Sequence, residues 1–143
     1  MRQAVAMPPP YDVFNFLNLL GVEISPGLSQ AGGDPGEDLV AYLTVRHELI
    51  AGTGFLWAPV VITMADALCA FGVNRHWPEG AKSFTTVDCS ANFISSAKEG
   101  ERVTATATPL HTGRTTQIWD ARVTNETSGR LMASYRCTQL LLY

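Results

Sequence analysis

Apolar residues recur at helical spacing in the stretch from Ala51 to Arg75. Val60, Met64 and Leu68 repeat every four residues, and Ala65 and Ala67 are among the small residues between them. A helix that is apolar on most of its circumference is typical of a buried element rather than a surface one. The pattern therefore predicts one long central helix. Pro59 suits its first turn, where a missing N–H leaves no hydrogen bond broken.

Asp66 is the only charged residue between Leu49 and Asn74. Burying an unpaired charge is unfavourable, so a lone carboxylate on such a helix needs either a partner or a chemical role. The structural interpretation is a carboxylate that caps a turn or pairs with an arginine across a subunit boundary. The functional interpretation is a catalytic base or nucleophile.

Downstream of the helix, apolar and polar residues alternate with a period of two in four segments. They predict strands at about 82–93, 102–108, 114–125 and 130–143, with the odd-numbered residues from Thr85 to Phe93 on one face. The short links between them favour antiparallel neighbours. Together with a strand at 39–46, they predict an α+β fold in which a curved antiparallel sheet wraps around one long buried helix.

The region before the first strand contains one further predicted helix and a loop. Apolar spacing predicts a short helix at about 11–21, which ends at Gly21. Residues 25–38 are rich in Gly, Pro, Ser and Asp and predict a loop. We interpret residues 1–143 as a single domain, because this length with 46% hydrophobic residues suffices for one core.

Charge and cysteine content narrow the class of function. The net charge is −3 and the pI about 5.5, which argues against a general nucleic-acid binder. Cys69, Cys89 and Cys137 have neither disulfide-framework nor zinc-site spacing, so we predict buried free thiols in a reducing cytoplasm and no metal site. No apolar run reaches the length of a membrane span, and the first residues do not resemble a signal peptide.

The order of elements resembles the hotdog fold, over roughly residues 39–142. More closely, it is similar to hotdog thioesterases of the phenylacetate-degradation and 4-hydroxybenzoyl-CoA type. In that family a glycine-rich loop leads to a His-Gly-Gly triplet at the helix start, and a catalytic Asp or Glu follows nine residues after the His. Here Trp57-Ala58-Pro59 occupies the triplet and Asp66 follows nine residues after Trp57. Gly113-Arg114-Thr115 looks like the family's Gly-Arg link between two late strands.

The resemblance implies an acyl-CoA thioesterase that acts on a small or aromatic acyl group. Asp66 would be the general base or the nucleophile, and the backbone N–H of Ala58 would stabilise the oxyanion. Arg114, with Gly113, would contact a CoA phosphate, because a guanidinium binds phosphate oxygens bidentately. Lys98, in a turn before a later strand, is a weaker candidate for the same task.

Three further residues are candidates for the acyl pocket. Thr63 and Cys69 lie one helical turn on either side of Asp66, so they either line its pocket or fill the core. Trp57 is much bulkier than the family's His, and it either walls the acyl pocket or belongs to the core.

The resemblance also implies a homodimer or homotetramer with sites shared between chains. Coenzyme A enters as part of the substrate, and no separate cofactor, nucleic acid or membrane partner is expected.

Two alternatives to a thioesterase stay open. One is a non-catalytic protein that binds acyl-CoA or an aromatic ligand, since the His-Gly-Gly triplet is absent. The other is a hotdog hydratase or dehydratase, although the central helix contains no histidine.

Overall fold

The computed structural model describes residues 14–25 and 39–143. The chain begins there with helix α1 (Asn15–Leu20), strand β1 (Glu23–Ile24) and strand β2 (Leu39–Thr44), followed by a short 3-10 helix (His47–Leu49). The long helix α2 (Ala58–Arg75) comes next. Four strands complete this part of the chain: β3 (Ser83–Phe93), β4 (Arg102–Thr112), β5 (Thr116–Asn125) and β6 (Arg130–Leu142).

The six strands form one sheet in the order β1-β2-β4-β5-β6-β3, and all neighbouring strands are antiparallel. Helix α2 packs across this sheet, with its closest association to β4 and β5. The predicted α+β architecture of one antiparallel sheet around one long helix is therefore confirmed. The short link between the last two predicted strands, residues 126–129, also joins β5 to β6 as expected.

The core lies between the sheet and one face of α2. Met64, Leu68 and Cys69 on that face are fully buried. Gly72 lies so close to the buried ring of Trp119 that a Cβ there would come within 2.5 Å of the indole. The close contact between helix and sheet at this point therefore requires glycine.

The opposite face of α2 is less buried than its apolar composition predicts. Ile62, Thr63, Asp66 and Ala67 are only half-buried. The prediction of a helix buried on most of its circumference is thus correct for the sheet side and wrong for this stripe, which faces a cavity described below.

Several predicted boundaries differ from the structure. Strand β4 continues past its predicted end at residue 108 to Thr112, and an irregularity between Pro109 and His111 lets it pass the proline. Residues 113–115 therefore connect β4 to β5, instead of residues 109–113, which separate the two predicted strands. Helix α1 starts at Asn15, whereas residues 11–13 of the predicted helix, and residues 26–38 of the predicted loop, lie outside the described residues.

Strand β3 departs most from its predicted pattern. A bulge at Val87, between the paired residues Thr86 and Asp88, shifts the alternation by one residue. Thr86 and Cys89 consequently face the same side, although the simple alternation placed them on opposite sides. Because β3 is an edge strand with a neighbour only in β6, Cys89 is exposed, and its predicted burial was wrong. Cys69 and Cys137 are buried and all three thiols are free.

Candidate active site

Asp66 lines a cavity of about 440 Å³ on the half-buried side of α2. The cavity lies between α2, α1 and the strands β3 and β6, and it combines apolar walls with a few polar groups. Its lining consists of Phe16, Leu17, Ile62, Thr63, Asp66, Ala67, Thr86, Cys89 and Tyr135. A carboxylate in a mostly apolar cavity is the arrangement expected for a group that meets a small-molecule ligand.

Tyr135 holds the Asp66 carboxylate in place. The Tyr135 hydroxyl donates a hydrogen bond to Asp66 Oδ1 over 2.7 Å. Burial, and secondly this hydrogen bond to the carboxylate, raise the pKa of Tyr135 well above its usual value. The phenol therefore stays protonated and acts only as a donor, which fixes one carboxylate oxygen and leaves Oδ2 as the oxygen available to a ligand.

The start of α2 supplies the candidate oxyanion donor. Trp57 is the N-cap, with no side-chain capping bond, and its carbonyl accepts from the Val60 N–H over 3.0 Å. Pro59 has no N–H. Ala58, the first helical residue, has an N–H that no preceding turn of helix satisfies. The positive end of the helix dipole adds to the attraction for an anion at this point.

Ala58 and Asp66 are too far apart in one chain to act on the same carbonyl group. Asp66 is the eighth residue after Ala58 in the helix, which corresponds to about 12 Å along the axis. An oxyanion donor and a base or nucleophile must each approach within about 3 Å of the reacting group. A single chain therefore carries both candidate groups but does not bring them together.

The two helical neighbours of Asp66 have different surroundings. Thr63 lines the cavity with Asp66, and its hydroxyl donates to the Pro59 carbonyl over 2.8 Å. Cys69 is fully buried on the sheet side, where its hydrogen bond with Cys137 and its burial raise the pKa of its thiol. The structure thus brings Thr63 but not Cys69 to the cavity, and Cys69 belongs to the core.

Trp57 is 60% exposed at the helix start, so its placement in the core is ruled out. It also does not line the cavity of its own chain. Exposed apolar side chains of Phe55, Phe93 and Ile94 occur in the same part of the molecule, because the Leu56 N–H donates to the Ala97 carbonyl and ties this loop to the segment after β3.

The predicted phosphate contacts lie at opposite ends of α2. Arg114, in the β4–β5 connection, has its guanidinium over the Tyr143 ring at 5.3 Å, and Tyr143 also lies beside Gly80 in the loop that follows α2. Gly113 permits the tight connection, since a Cβ there would lie 2.6 Å from the His111 ring. Lys98 is exposed beside Ala97, near the start of the helix. With α2 about 27 Å long, Arg114 and Lys98 cannot share one phosphate within a chain.

Of the cavity lining, only Thr63 and Asp66 were predicted as site residues, and Tyr135 and Phe16 are the most consequential of those that escaped prediction. Tyr135 falls on an inward position of β6, and a buried tyrosine hydroxyl needs a partner, but its partner is 69 residues away in the chain. Phe16 lies within the first predicted helix, and the apolar spacing of that helix gives no link to Asp66. No group of three potential metal ligands occurs within the described part of the chain.

Comparison with known proteins agrees with this arrangement. Residues 53–132, more than half of the chain, match the family model described as the thioesterase superfamily. The chain belongs to that superfamily, which confirms the resemblance and the hotdog fold.

Individual relatives span nearly the whole chain. The 1,4-dihydroxy-2-naphthoyl-CoA hydrolase of Listeria monocytogenes is 28% identical over 83% of this chain and 94% of its own length. The putative esterase ComA2 of Bacillus subtilis is 29% identical over 85% of this chain and 90% of its own. The crystal structure of S. sahachiroi AziG matches with a TM-score of 0.77 and 26% identity, covering 92% of this chain and 98% of that one.

Proposed function

We propose that this protein hydrolyses the thioester of a small or aromatic acyl-CoA to the free acid and coenzyme A. The observation that carries the proposal is the Asp66 carboxylate, held by Tyr135 at one oxygen and open to an apolar cavity at the other. Membership of the thioesterase superfamily supports it, as does the similarity to the Listeria 1,4-dihydroxy-2-naphthoyl-CoA hydrolase. The reaction needs water but no separate cofactor.

The chemistry divides between two groups. Asp66 attacks the thioester carbonyl carbon, or removes a proton from a water molecule that attacks it. The carbonyl oxygen becomes an oxyanion and accepts a hydrogen bond from the Ala58 N–H at a helix start. If Asp66 activates water, the C–S bond then breaks, the sulfur of coenzyme A leaves and takes up a proton, and the acyl group ends as the carboxylic acid. If Asp66 attacks directly, the same cleavage leaves the acyl group on Asp66 as a mixed anhydride, which water then hydrolyses to the carboxylic acid and the free Asp66 carboxylate.

The separation of about 12 Å along α2 between Ala58 and Asp66 leads us to include a second chain in the proposal. The Asp66 cavity of one protomer would receive the helix start of its partner, so that each site uses Asp66 from one chain and the Ala58 N–H from the other. Two-fold symmetry would then produce two equivalent sites. Trp57 adjoins Ala58, and in this arrangement it would wall the acyl pocket of the partner rather than its own.

Strand β3 is the surface that suits such a dimer. It is an edge strand of 11 residues, and an unpaired edge of this length readily pairs with another strand. Val87 and Phe93 expose apolar side chains along it, and the exposed Trp57 and Ile94 extend the apolar surface toward the helix start. A tetramer would require a further interface.

Arg114 and Gly113 remain proposed contacts for the phosphates of coenzyme A, with Lys98 as a second cation. Arg114 lies at the opposite end of α2 from Ala58. Of the two protomers that form a shared site, only one would therefore supply its Arg114 to the substrate there. The free thiols suit a reducing compartment, and we include a cytoplasmic location in the proposal.

The test is a set of acyl-CoA esters with acetyl, hexanoyl, decanoyl, phenylacetyl and benzoyl groups. Release of the free thiol is measured for hydrolysis, and calorimetry with a hydrolysis-resistant thioether of CoA measures binding. We expect turnover with the shorter and aromatic esters. Binding without turnover of any ester would instead identify a non-catalytic acyl-CoA binding protein.

A further inference from the structure

Helix α1 is fixed to the body of the protein although it has only six residues. Leu17 is buried, and the ring of Phe14, just before the helix, stacks on Phe71 of α2 with centroids 5.6 Å apart. Both contacts hold α1 against the half-buried side of α2. The helix therefore forms a defined wall of the Asp66 cavity.

The end of α1 is fastened separately. Arg46, after β2, donates from its guanidinium to the Leu19 carbonyl over 2.8 Å. Gly21 ends the helix in a left-handed conformation with φ 79°, and its N–H returns to Asn18 and Leu17 carbonyls. A helix anchored at both ends holds its outward-facing side chains at fixed positions.

Phe16 is one of these side chains, and its surroundings are unusual for an aromatic residue. It is 56% exposed, yet it lines the same cavity as Asp66. Leu19 on the same helix is 71% exposed and does not line the cavity. The helix thus has two exposed apolar side chains, of which Phe16 borders the cavity and Leu19 does not.

We propose that Phe16 determines the acyl preference of this site by presenting its ring to an aryl group on the thioester. This inference rests on the proposed function and assigns its acyl specificity to a residue outside the sheet and the central helix. An aryl group that packs against Phe16 gains apolar contact and an aromatic pair, whereas a short aliphatic group offers less apolar area and no ring. Ile62 and Ala67 of α2 add apolar wall to the same cavity.

The experiment compares Phe16→Ala and Phe16→Leu with the wild-type protein. The measured quantity is the ratio of kcat/KM for phenylacetyl-CoA to that for acetyl-CoA. We expect Phe16→Ala to lower this ratio about threefold to tenfold, and Phe16→Leu to lower it less, because the apolar contact remains without the aromatic pair. Leu19→Ala is the matched control and should leave the ratio unchanged.

A second readout keeps this inference separate from the proposed function. Calorimetry measures the Kd of S-(2-phenylethyl)-CoA and S-ethyl-CoA, thioethers that no variant hydrolyses. A selective loss of affinity for the phenylethyl compound in Phe16→Ala supports the role of Phe16 even if no ester is turned over. An unchanged Kd ratio, the same change in Leu19→Ala, or no thioether binding by the wild-type protein would overturn it. If the esters are hydrolysed but the kcat/KM ratio is unchanged in Phe16→Ala, the proposed hydrolase function is supported and the role of Phe16 in acyl preference is excluded.

Discussion

The two long faces of α2 differ in what surrounds them. Toward the sheet, Met64, Leu68 and Cys69 are sealed from solvent, and Gly72 touches the Trp119 ring. Toward the cavity, Thr63 and Asp66 are half-buried and border empty space. The same helix therefore holds the sheet with one face and presents the candidate chemistry with the other. Substitutions on the two faces should have separable effects on stability and on turnover.

Removing the charge of Asp66 tests the cavity face and should have the largest effect. Asp66→Asn keeps the size and shape of the side chain but removes the base or nucleophile. We expect thioester hydrolysis to fall by about 10²–10⁴-fold. The melting temperature and the oligomeric state should stay close to those of the wild-type protein. Retained turnover in correctly assembled Asp66→Asn protein would show that the carboxylate is not catalytic.

Gly72→Ala tests the sheet face. The added Cβ would lie 2.5 Å from the Trp119 ring, so the helix or the indole must shift. Overpacking of this kind costs about 1–3 kcal/mol of unfolding free energy. Urea unfolding measures the loss, while turnover per folded molecule should remain near the wild-type value. A variant as stable as the wild type would mean that the helix does not pack as closely as described.

Tyr135→Phe sharpens the comparison, because Tyr135 reaches the cavity from the sheet. The variant keeps the ring and removes only the donor to Asp66 Oδ1. A hydrogen bond to a charged group contributes about 1.5–3 kcal/mol, so we expect kcat to fall by about tenfold or more while KM changes little. Tyr42→Phe, which alters a tyrosine of β2 outside the cavity lining, serves as the control. A fall in kcat accompanied by a rise in KM of similar size would indicate that the Tyr135 hydroxyl contacts the substrate instead.

Arg114→Ala should have the smallest effect and should act on binding alone. If Arg114 contacts a CoA phosphate, KM rises with kcat nearly unchanged, and binding becomes less sensitive to salt. A truncated pantetheine thioester, which lacks the nucleotide, provides the control and should not respond. Equal responses of the CoA and pantetheine esters would exclude a contact with the nucleotide part.

The sequence predicted the fold because the fold depends on periodicity. The spacing of Val60, Met64 and Leu68 identifies α2, and the period of two identifies the later strands without knowledge of their partners. The bulge at Val87 was not predicted, because a single inserted residue is recognised only from the residue pairing between β3 and β6. The same limit explains the error at Cys89, whose exposure follows from the edge position of β3.

The candidate site was predicted only in part, because its contacts join distant parts of the chain. Asp66 stands out as a lone charge in an apolar stretch, and Thr63 follows from helical spacing. Tyr135 and Phe16 reach the cavity from β6 and α1, and nothing local to either residue marks that contact. Helical spacing also suggested Cys69. Its position three residues after Asp66, however, directs its side chain toward the sheet, where it meets Cys137.

The central claim is that each site combines Asp66 of one chain with the Ala58 N–H of another. Ala58→Pro removes that N–H at a position where proline suits the first turn, and Trp57 at ψ 134° already has the conformation that a following proline requires. Ala58→Gly keeps the N–H and is the matched control. Both Ala58→Pro and Asp66→Asn should be nearly inactive as homodimers.

The deciding measurement is the turnover of mixed dimers, made by co-expressing two differently tagged chains and purifying on both tags. A dimer of one Ala58→Pro chain and one Asp66→Asn chain should recover about half of wild-type activity, because one of its two symmetric sites is intact. A dimer of wild-type and doubly substituted chains should be inactive, because each site then lacks one group. The opposite pattern, an inactive first dimer and a half-active second one, would place the whole site within a single chain and contradict the claim.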